Sequence, residues 1–138
     1  MSEENKAFAR QWFDNFVSGN FDEQRANMAD GHLFHFPLAP VPLEPDAHIG
    51  AQQGLLAACP DLSFDLEEQV AEGDIVVTRF VLHGTFQNEF QGVPANGAEL
   101  SVRGTNMMKI VDGKNAEEWD ALDTLGLMQQ MGVVPTQG

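Results

Sequence analysis

The stretch NMMKIVDGKNAEEWDALD, residues 106–123, has the pattern of a β-hairpin whose two strands meet at the turn VDGK. The apolar run NMMKIV predicts that the first strand is buried, yet the second strand carries four carboxylates around Trp119. An ionised Asp without partners is costly in a protein interior, by several kcal/mol. Each of these acids therefore either faces water or is retained for a reason.

Alternation divides the second strand of the hairpin between two faces. One face carries Glu118, Asp120 and Leu122, and the other carries Glu117, Trp119, Ala121 and Asp123. The register stays open, because a type I turn with a glycine bulge and a two-residue Asp-Gly turn differ by one residue and exchange the facing sets. With the bulged turn, Asp120 shares a face with Asn106, Met108 and Ile110.

Helices are predicted before the hairpin, followed by an antiparallel meander. Apolar residues recur every three or four positions from Glu3 to Val17, which predicts the first helix. A short second helix is predicted to start near Asn20, which can be its N-cap, and a third spans about residues 50–58.

The strands begin with HLFHF, residues 32–36, which predicts a short strand before a proline-rich loop. Extended segments follow at 63–73, 74–87, 98–111 and 115–123, and TLGLMQQMG, residues 124–132, predicts a last helix. This order is typical of an α+β roll with a pocket at its open end.

Size and charge restrict the function classes. A chain of 138 residues fits one domain, residues 1–138, and 21 acidic against 7 basic residues give a net charge of −14, which disfavours nucleic acid as a partner. The N-terminus has no signal core and no apolar run approaches the length of about 18 residues of a membrane span, so we expect a cytoplasmic protein without membrane contact. Cys59, the one cysteine, is expected to be a small buried thiol.

The four histidines give no metal motif. His32 and His35 are three apart, which on a strand sends them to opposite faces, so no metal site is expected. His35 either projects into the pocket or is a partly exposed histidine at the strand end. His83 precedes Gly84 and is more simply a residue at a strand edge, and His48 lies in the predicted loop DAHIG without an evident role.

Carboxylates remain as candidates for acid and base chemistry, because the sequence contains no Ser-His-Asp elbow, phosphate loop or dinucleotide fingerprint. Asp123 precedes the last helix and is more simply its N-cap. Glu117 and Glu118 are most simply solvated. If the face of Asp120 is concave, apolar walls raise its pKa toward that of a useful base, and Glu118 joins it on the pocket side.

The segments FQNEFQGVPANG, KIVDGK and EEW, and above all D-x-LGLMQQMGVVP, resemble those of the SnoaL-like polyketide cyclases, also called ester cyclases. The resemblance covers nearly the whole chain. It implies the nuclear transport factor 2-like (cystatin-like) fold, a cone-shaped barrel of three to four helices on a strongly curved antiparallel or mixed sheet around an apolar pocket. It also implies ring closure of a polyketide by intramolecular aldol condensation without a cofactor.

The resemblance places the catalytic aspartate on Asp120 and therefore the face of Asn106 on the inside. The chain departs from the family by having Asn106 where the cyclases have a pocket histidine, and His35 where they have a pocket asparagine. We therefore predict a catalytic set of Asp120, His35 and Asn106. The substrate-binding set comprises Trp12, Phe16, His83, Met108 and Glu118.

Three hypotheses follow from these residues. The leading one is a cofactor-independent cyclase or isomerase for a hydrophobic carbonyl substrate, with Asp120 as base and acid and with His35 and Asn106 as donors to the developing oxyanion. The alternative is a non-catalytic protein that binds a hydrophobic small molecule in the same pocket. The third is an interaction module, because the fold often dimerises through the outer face of its sheet, where Trp119 would lie.

Overall fold

Four helices and five strands make up the part of the chain that the computed structural model describes, residues 2–133. Met1 and residues 134–138 of the predicted domain lie outside the described residues. The helices are α1 (Ser2–Ser18), α2 (Phe21–Ala26), α3 (Pro45–Ala58) and α4 (Thr124–Gln130). The strands are β1 (Met28–His35), β2 (Ser63–Glu72), β3 (Ile75–Thr85), β4 (Glu99–Val111) and β5 (Lys114–Leu122). These elements confirm the predicted α+β fold class.

The strands form one mixed sheet in the order β1-β5-β4-β3-β2. Strands β2 to β5 are the predicted antiparallel meander, and β1 adds to the edge of β5 in parallel. Because β1 and β2 lie at opposite edges, the chain between them must cross the sheet, and it does so with α3. Helix α3 packs on β1, and α1 packs on β2 and β3, so these two helices cover the inner face.

The start of α3 differs from the prediction, whereas α2 starts where it was predicted. Helix α3 begins at Pro45 rather than near residue 50, because proline is well tolerated in the first turn, where its missing N–H has no partner to lose. His48 is therefore a helical residue, and the prediction that it lies in a loop is wrong. Asn20 does precede α2, but its side chain forms no capping hydrogen bond.

The hairpin between β4 and β5 combines features of both predicted alternatives. Asp112 and Gly113, with φ of 52° and 73°, form the two-residue turn, and Ile110 pairs with Asn115. The register then shifts, because Lys109 pairs with Glu117 and leaves one extra residue in β5. This β-bulge restores the facing set predicted for the bulged turn, so that Asn106 lies opposite Asp120.

The inner face is apolar at both ends. One cluster surrounds Phe80 and Phe86, and a second contains Trp12, Val76 and Met108. Gly104 is required where the first cluster meets the sheet, because an added Cβ would lie 2.5 Å from the Phe80 ring. Between residues 2 and 133, no helix has both the length and the apolar character needed to cross a membrane.

Candidate active site

A cavity lies between the inner face of the sheet and helices α1 and α3. About 50 Å³ of it is free space. Aromatic rings form much of its wall: Trp12, Phe13, Phe16, Phe34, Phe36, Phe64 and Phe80. Its polar lining consists of His48, Gln52, Asn106, Glu118 and Asp120. Three of these polar side chains come from the paired strands β4 and β5, so the cavity has one polar wall facing aromatic ones.

One amide joins the two carboxyl groups of the polar wall. Nδ2 of Asn106 donates hydrogen bonds to Oε2 of Glu118 and to Oδ1 of Asp120, both at 2.7 Å. Nδ2 of Asn115 donates a third bond, 2.8 Å long, to Oε1 of Glu118. The bulge in β5 is what allows Asn115 and Glu118, three residues apart, to point inward together.

Both carboxyl groups hold their protons more tightly than an ordinary side chain does. Burial, and next the charge of Asp120, raise the pKa of Glu118 to about 8 against the opposing effect of its amide hydrogen bonds. Burial likewise raises the pKa of Asp120 to about 7, against the bond from Asn106. The pair therefore titrates near neutral pH, where a group can both take up and release a proton.

Two buried histidines extend the polar wall: His48 lines the cavity, and His32 lies behind it. Nδ1 of His32 lies 2.9 Å from the carbonyl oxygen of Asn115, and Nε2 of His32 lies 2.9 Å from Nδ1 of His48. Nε2 of His48 lies 4.0 Å from Oε1 of Glu118. Burial lowers the pKa of His32, and burial together with His32 lowers that of His48 well below its ordinary value. Both rings are therefore neutral near pH 7.

The donor atoms of His32, His48 and Glu118 all lie within 4.8 Å of one another, a spacing that a metal ion can bridge. The contact between the two rings is nevertheless a hydrogen bond, and an ion held by both would have to break it. The arrangement is a hydrogen-bonded chain. The absence of a metal from the reaction stays a prediction.

Five of the eight predicted site residues line the cavity. They are Trp12, Phe16, Asn106, Glu118 and Asp120. Glu118 is only 3% exposed, so the simpler interpretation of it as a solvated acid is wrong. The roles of these five residues in binding or catalysis stay predictions.

His35 and His83 lie outside the cavity. His35 follows the inward Phe34 in β1, so its ring faces outward, stacks on Trp119 and contacts Oε2 of Glu117 at 2.7 Å. The strand-end alternative for His35 therefore fits its position, and His35 does not line the cavity, although it lines the neighbouring groove that Asp120 also borders. His83 contacts Asp65 at 2.9 Å on the exposed face of β3 and does not line the cavity either.

The structure also locates Met108, Asp123 and Cys59, for each of which the sequence predicted a position or a role. Met108 has the predicted inward direction but is fully buried in the second apolar cluster and does not line the cavity. Asp123 caps α4 as predicted, because its carboxylate accepts a 2.9 Å bond from the amide of Gly126. Cys59 is the predicted buried thiol, and burial raises its pKa to about 11, which makes it a poor nucleophile.

The raised pKa of Glu118 predicts a pH-dependent stability difference for Glu118→Gln. The folded wild type binds this proton more tightly than the unfolded chain, so its stability falls as pH rises from the ordinary value of 4.5 to about 8. A glutamine does not titrate. We expect the variant to gain stability over wild type by about 1.4 kcal/mol per pH unit in this window. Urea unfolding of both proteins at pH 5 and pH 8 measures the difference in their free energies of unfolding. The contributions of the histidines cancel in this difference because both proteins contain them.

Glu117→Gln is the matched control, because Glu117 lies on the outer face of the same strand. Its stability difference from wild type gives the pH dependence that an outer-face acid paired with His35 contributes, against which the slope for Glu118→Gln is compared. A pH-independent difference for Glu118→Gln would mean that Glu118 titrates normally.

Comparisons with known proteins agree with this geometry. The family model for the SnoaL-like polyketide cyclases matches residues 7–131. The aklanonic acid methyl ester cyclase DauD of Streptomyces sp. (strain C5) is 27% identical over 108 residues, which are 72% of this chain and 67% of DauD. IdmH of Streptomyces antibioticus, a candidate polyketide cyclase, superposes with a TM-score of 0.81 at 28% identity, over 94% of this chain and 99% of IdmH. AclR of Streptomyces galilaeus, a candidate hydroxylase, shares the fold with a TM-score of 0.89 at 23% identity, over 100% of this chain and 87% of AclR.

Proposed function

The chain belongs to the SnoaL-like polyketide cyclase family, and from this premise we propose that it closes a ring in a hydrophobic polyketide-type substrate, with Asp120 as base and acid. Membership of the family supports a cofactor-independent cyclase or isomerase. The observation that carries the finer proposal is the position of Asp120, a carboxylate on the polar wall of a largely apolar cavity, with a pKa raised toward neutrality.

The proposed reaction needs one proton to move twice. Asp120 removes the proton from a carbon between two carbonyl groups, and the electron pair of that C–H bond passes into the enolate. The enolate carbon then attacks a second carbonyl carbon of the same molecule, which forms the C–C bond and leaves an alkoxide. Asp120 returns its proton to that alkoxide. The atoms and electrons balance without an oxidant, a reductant or a cofactor.

The enolate oxygen requires a hydrogen-bond donor in the cavity. His35 is on the other face of the sheet, and the amide of Asn106 is already engaged by both carboxyl groups. The indole N–H of Trp12 is buried without a hydrogen-bond partner among the described residues, and it lies close enough to Glu118 to lower the pKa of that group. Trp12 therefore replaces His35 as the donor that this proposal uses.

The cavity also restricts the substrate. Its free volume is about 50 Å³, so a larger molecule must widen the cavity or extend beyond its aromatic wall. Flat, apolar rings pack well against such a wall, and a polar edge can turn toward Asn106 and Asp120. This arrangement favours a planar, conjugated carbonyl compound as the substrate class.

Proton exchange tests the proposal without knowledge of the natural substrate. We expect the protein, in deuterium oxide, to accelerate the replacement by deuterium of the proton on the carbon that lies between the two carbonyl groups of an aromatic 1,3-diketone. Proton NMR monitors the loss of this signal. The acceleration should disappear when a non-reactive planar ligand fills the cavity. Binding of the diketone without accelerated exchange would instead identify a binding protein for hydrophobic molecules.

A further inference from the structure

The two histidines behind the polar wall form a chain with a fixed direction. The carbonyl oxygen of Asn115 only accepts hydrogen bonds, so Nδ1 of His32 must donate the bond between them. A neutral ring has one proton, and Nε2 of His32 is therefore an acceptor. Nδ1 of His48, 2.9 Å away, must donate to it. The chain thus leaves Nε2 of His48 without a proton.

The unprotonated nitrogen of His48 faces the cavity. It lies 4.0 Å from Oε1 of Glu118 and 3.5 Å from the amide nitrogen of Gln52. A nitrogen lone pair is attracted to the acidic proton of a neutral Glu118 and is repelled by its carboxylate. The reversed tautomer would instead present an N–H group and stabilise the carboxylate.

The two carboxyl groups differ in their access to water and substrate. Glu118 is sealed under Trp12 and the histidine pair and is almost fully buried, whereas Asp120 is half-buried and also borders a groove beside Phe36. The group nearer the opening is the one that a substrate meets.

The surroundings of Glu118 agree with this division. Asp120 of β5 is its charged neighbour, and the titratable groups on the packed elements are His48 of α3 and His32 of β1. Neither histidine carries a positive charge near pH 7 that could hold Glu118 ionised. Glu118 is also the more deeply buried member of the pair, which favours the proton on Glu118 and the charge on Asp120.

Resting on the proposed function, we propose that His32 and His48 are positioning residues that hold the proton of the carboxyl pair on Glu118 and so place the negative charge on Asp120. Burying two carboxylates side by side is unfavourable, and the pair therefore keeps one proton. The histidine chain decides which member keeps it. Asp120 is then the base at the start of each turnover, and Glu118 is a neutral neighbour.

The tautomer of His48 is measured directly in the wild-type protein. Nitrogen-15 NMR of the imidazole rings should show His48 neutral near pH 7, protonated at Nδ1 and unprotonated at Nε2. His48 with a proton at Nε2, or with both nitrogens protonated, would overturn the proposal. This measurement requires neither a variant nor a substrate.

Two replacements of His32 separate positioning from packing. In His32→Asn, the amide takes the place of Nδ1 and keeps the bond to Asn115, but the acceptor for His48 is lost. In His32→Gln, the amide oxygen takes the place of Nε2 and keeps that acceptor. Released from His32, His48 can turn an N–H toward Glu118 and stabilise its carboxylate.

We expect His32→Asn to lower the pKa of Glu118 by about one unit or more, a tenfold weaker hold on its proton, and His32→Gln to change it much less. Carbon-detected NMR of the side-chain carboxyl groups measures both values. An unchanged pKa of Glu118 in folded His32→Asn would overturn the proposal. If that variant does not fold, the tautomer of His48 in the wild type decides the question.

The NMR titrations distinguish a failure of the positioning proposal from a failure of the proposed function. Inactive wild-type protein, or an active Asp120→Asn variant, would refute the cyclase proposal and leave these titrations unaffected. Glu118 ionising before Asp120 in the wild type would refute the positioning proposal, whatever the activity.

Discussion

Asp120→Asn should lower turnover by about 10²- to 10⁴-fold, the contribution typical of a positioned general base. An amide cannot accept the proton from carbon, and it cannot return one to the alkoxide. Its oxygen can still accept the bond from Asn106, so the cavity should keep its shape. Turnover and exchange of the activated proton, measured under the same conditions, should fall together.

Two comparisons separate lost chemistry from lost structure. Replacing a buried, proton-retaining acid with an amide should leave the variant at least as stable as wild type above pH 7, because Asp120 has a raised pKa. Glu117→Gln, on the outer face of the same strand, should keep wild-type turnover. An Asp120→Asn protein that is folded and still turns over at the wild-type rate would remove Asp120 from the mechanism.

Local patterns in the sequence are sufficient to predict the number and order of the helices, the meander and the cap at Asp123, but not the start of α3. They are not sufficient to fix which face of β5 is buried, because turn chemistry alone allows two registers. The structure shows the tight turn followed by a bulge at Asn115 and Ala116. Only the family resemblance, which placed Asp120 on the inside, pointed to the correct face.

Distant partners explain why the bulge could not be predicted. The backbone N–H of Asn115 donates to Asn27, its carbonyl accepts from His32, and its side chain donates to Glu118. The first two of these partners are more than 80 residues away in the chain, and no local periodicity reports them. The bulge is stabilised by the polar network that it helps to build.

The histidine pair was missed for a related reason. The spacing of His32 and His35 correctly places them on opposite faces, but the partner of His32 is His48 on another element. A proline start to α3 would have placed His48 on a helix, one turn before Gln52. Even so, the contact itself depends on α3 crossing the sheet beside β1.

Asn106→Leu should move the proposed cyclase activity to higher pH. The variant removes the amide that donates to both carboxyl groups while keeping a side chain of similar size. Losing a hydrogen bond to a charged group costs about 1.5–3 kcal/mol, which corresponds to a rise of about 1–2 units in the pKa of Asp120. Below that pKa Asp120 keeps its proton and is not a base. Because wild-type Asp120, with a pKa of about 7, is half ionised at pH 7, turnover at pH 7 should fall by about 5- to 50-fold.

Recovery at higher pH distinguishes this effect from simple damage to the cavity. The rise of turnover with pH should be displaced upward in Asn106→Leu, and much of the wild-type rate should return when the pH exceeds the new pKa of Asp120. Asn96→Leu, which removes an exposed amide bonded to the carbonyl of Gln130, is the control and should keep the wild-type profile. A uniform loss at every pH would show that Asn106 supports the cavity without setting the proton affinity of Asp120. A displaced profile would show that one amide, shared by both carboxyl groups, tunes the proton affinity of the base.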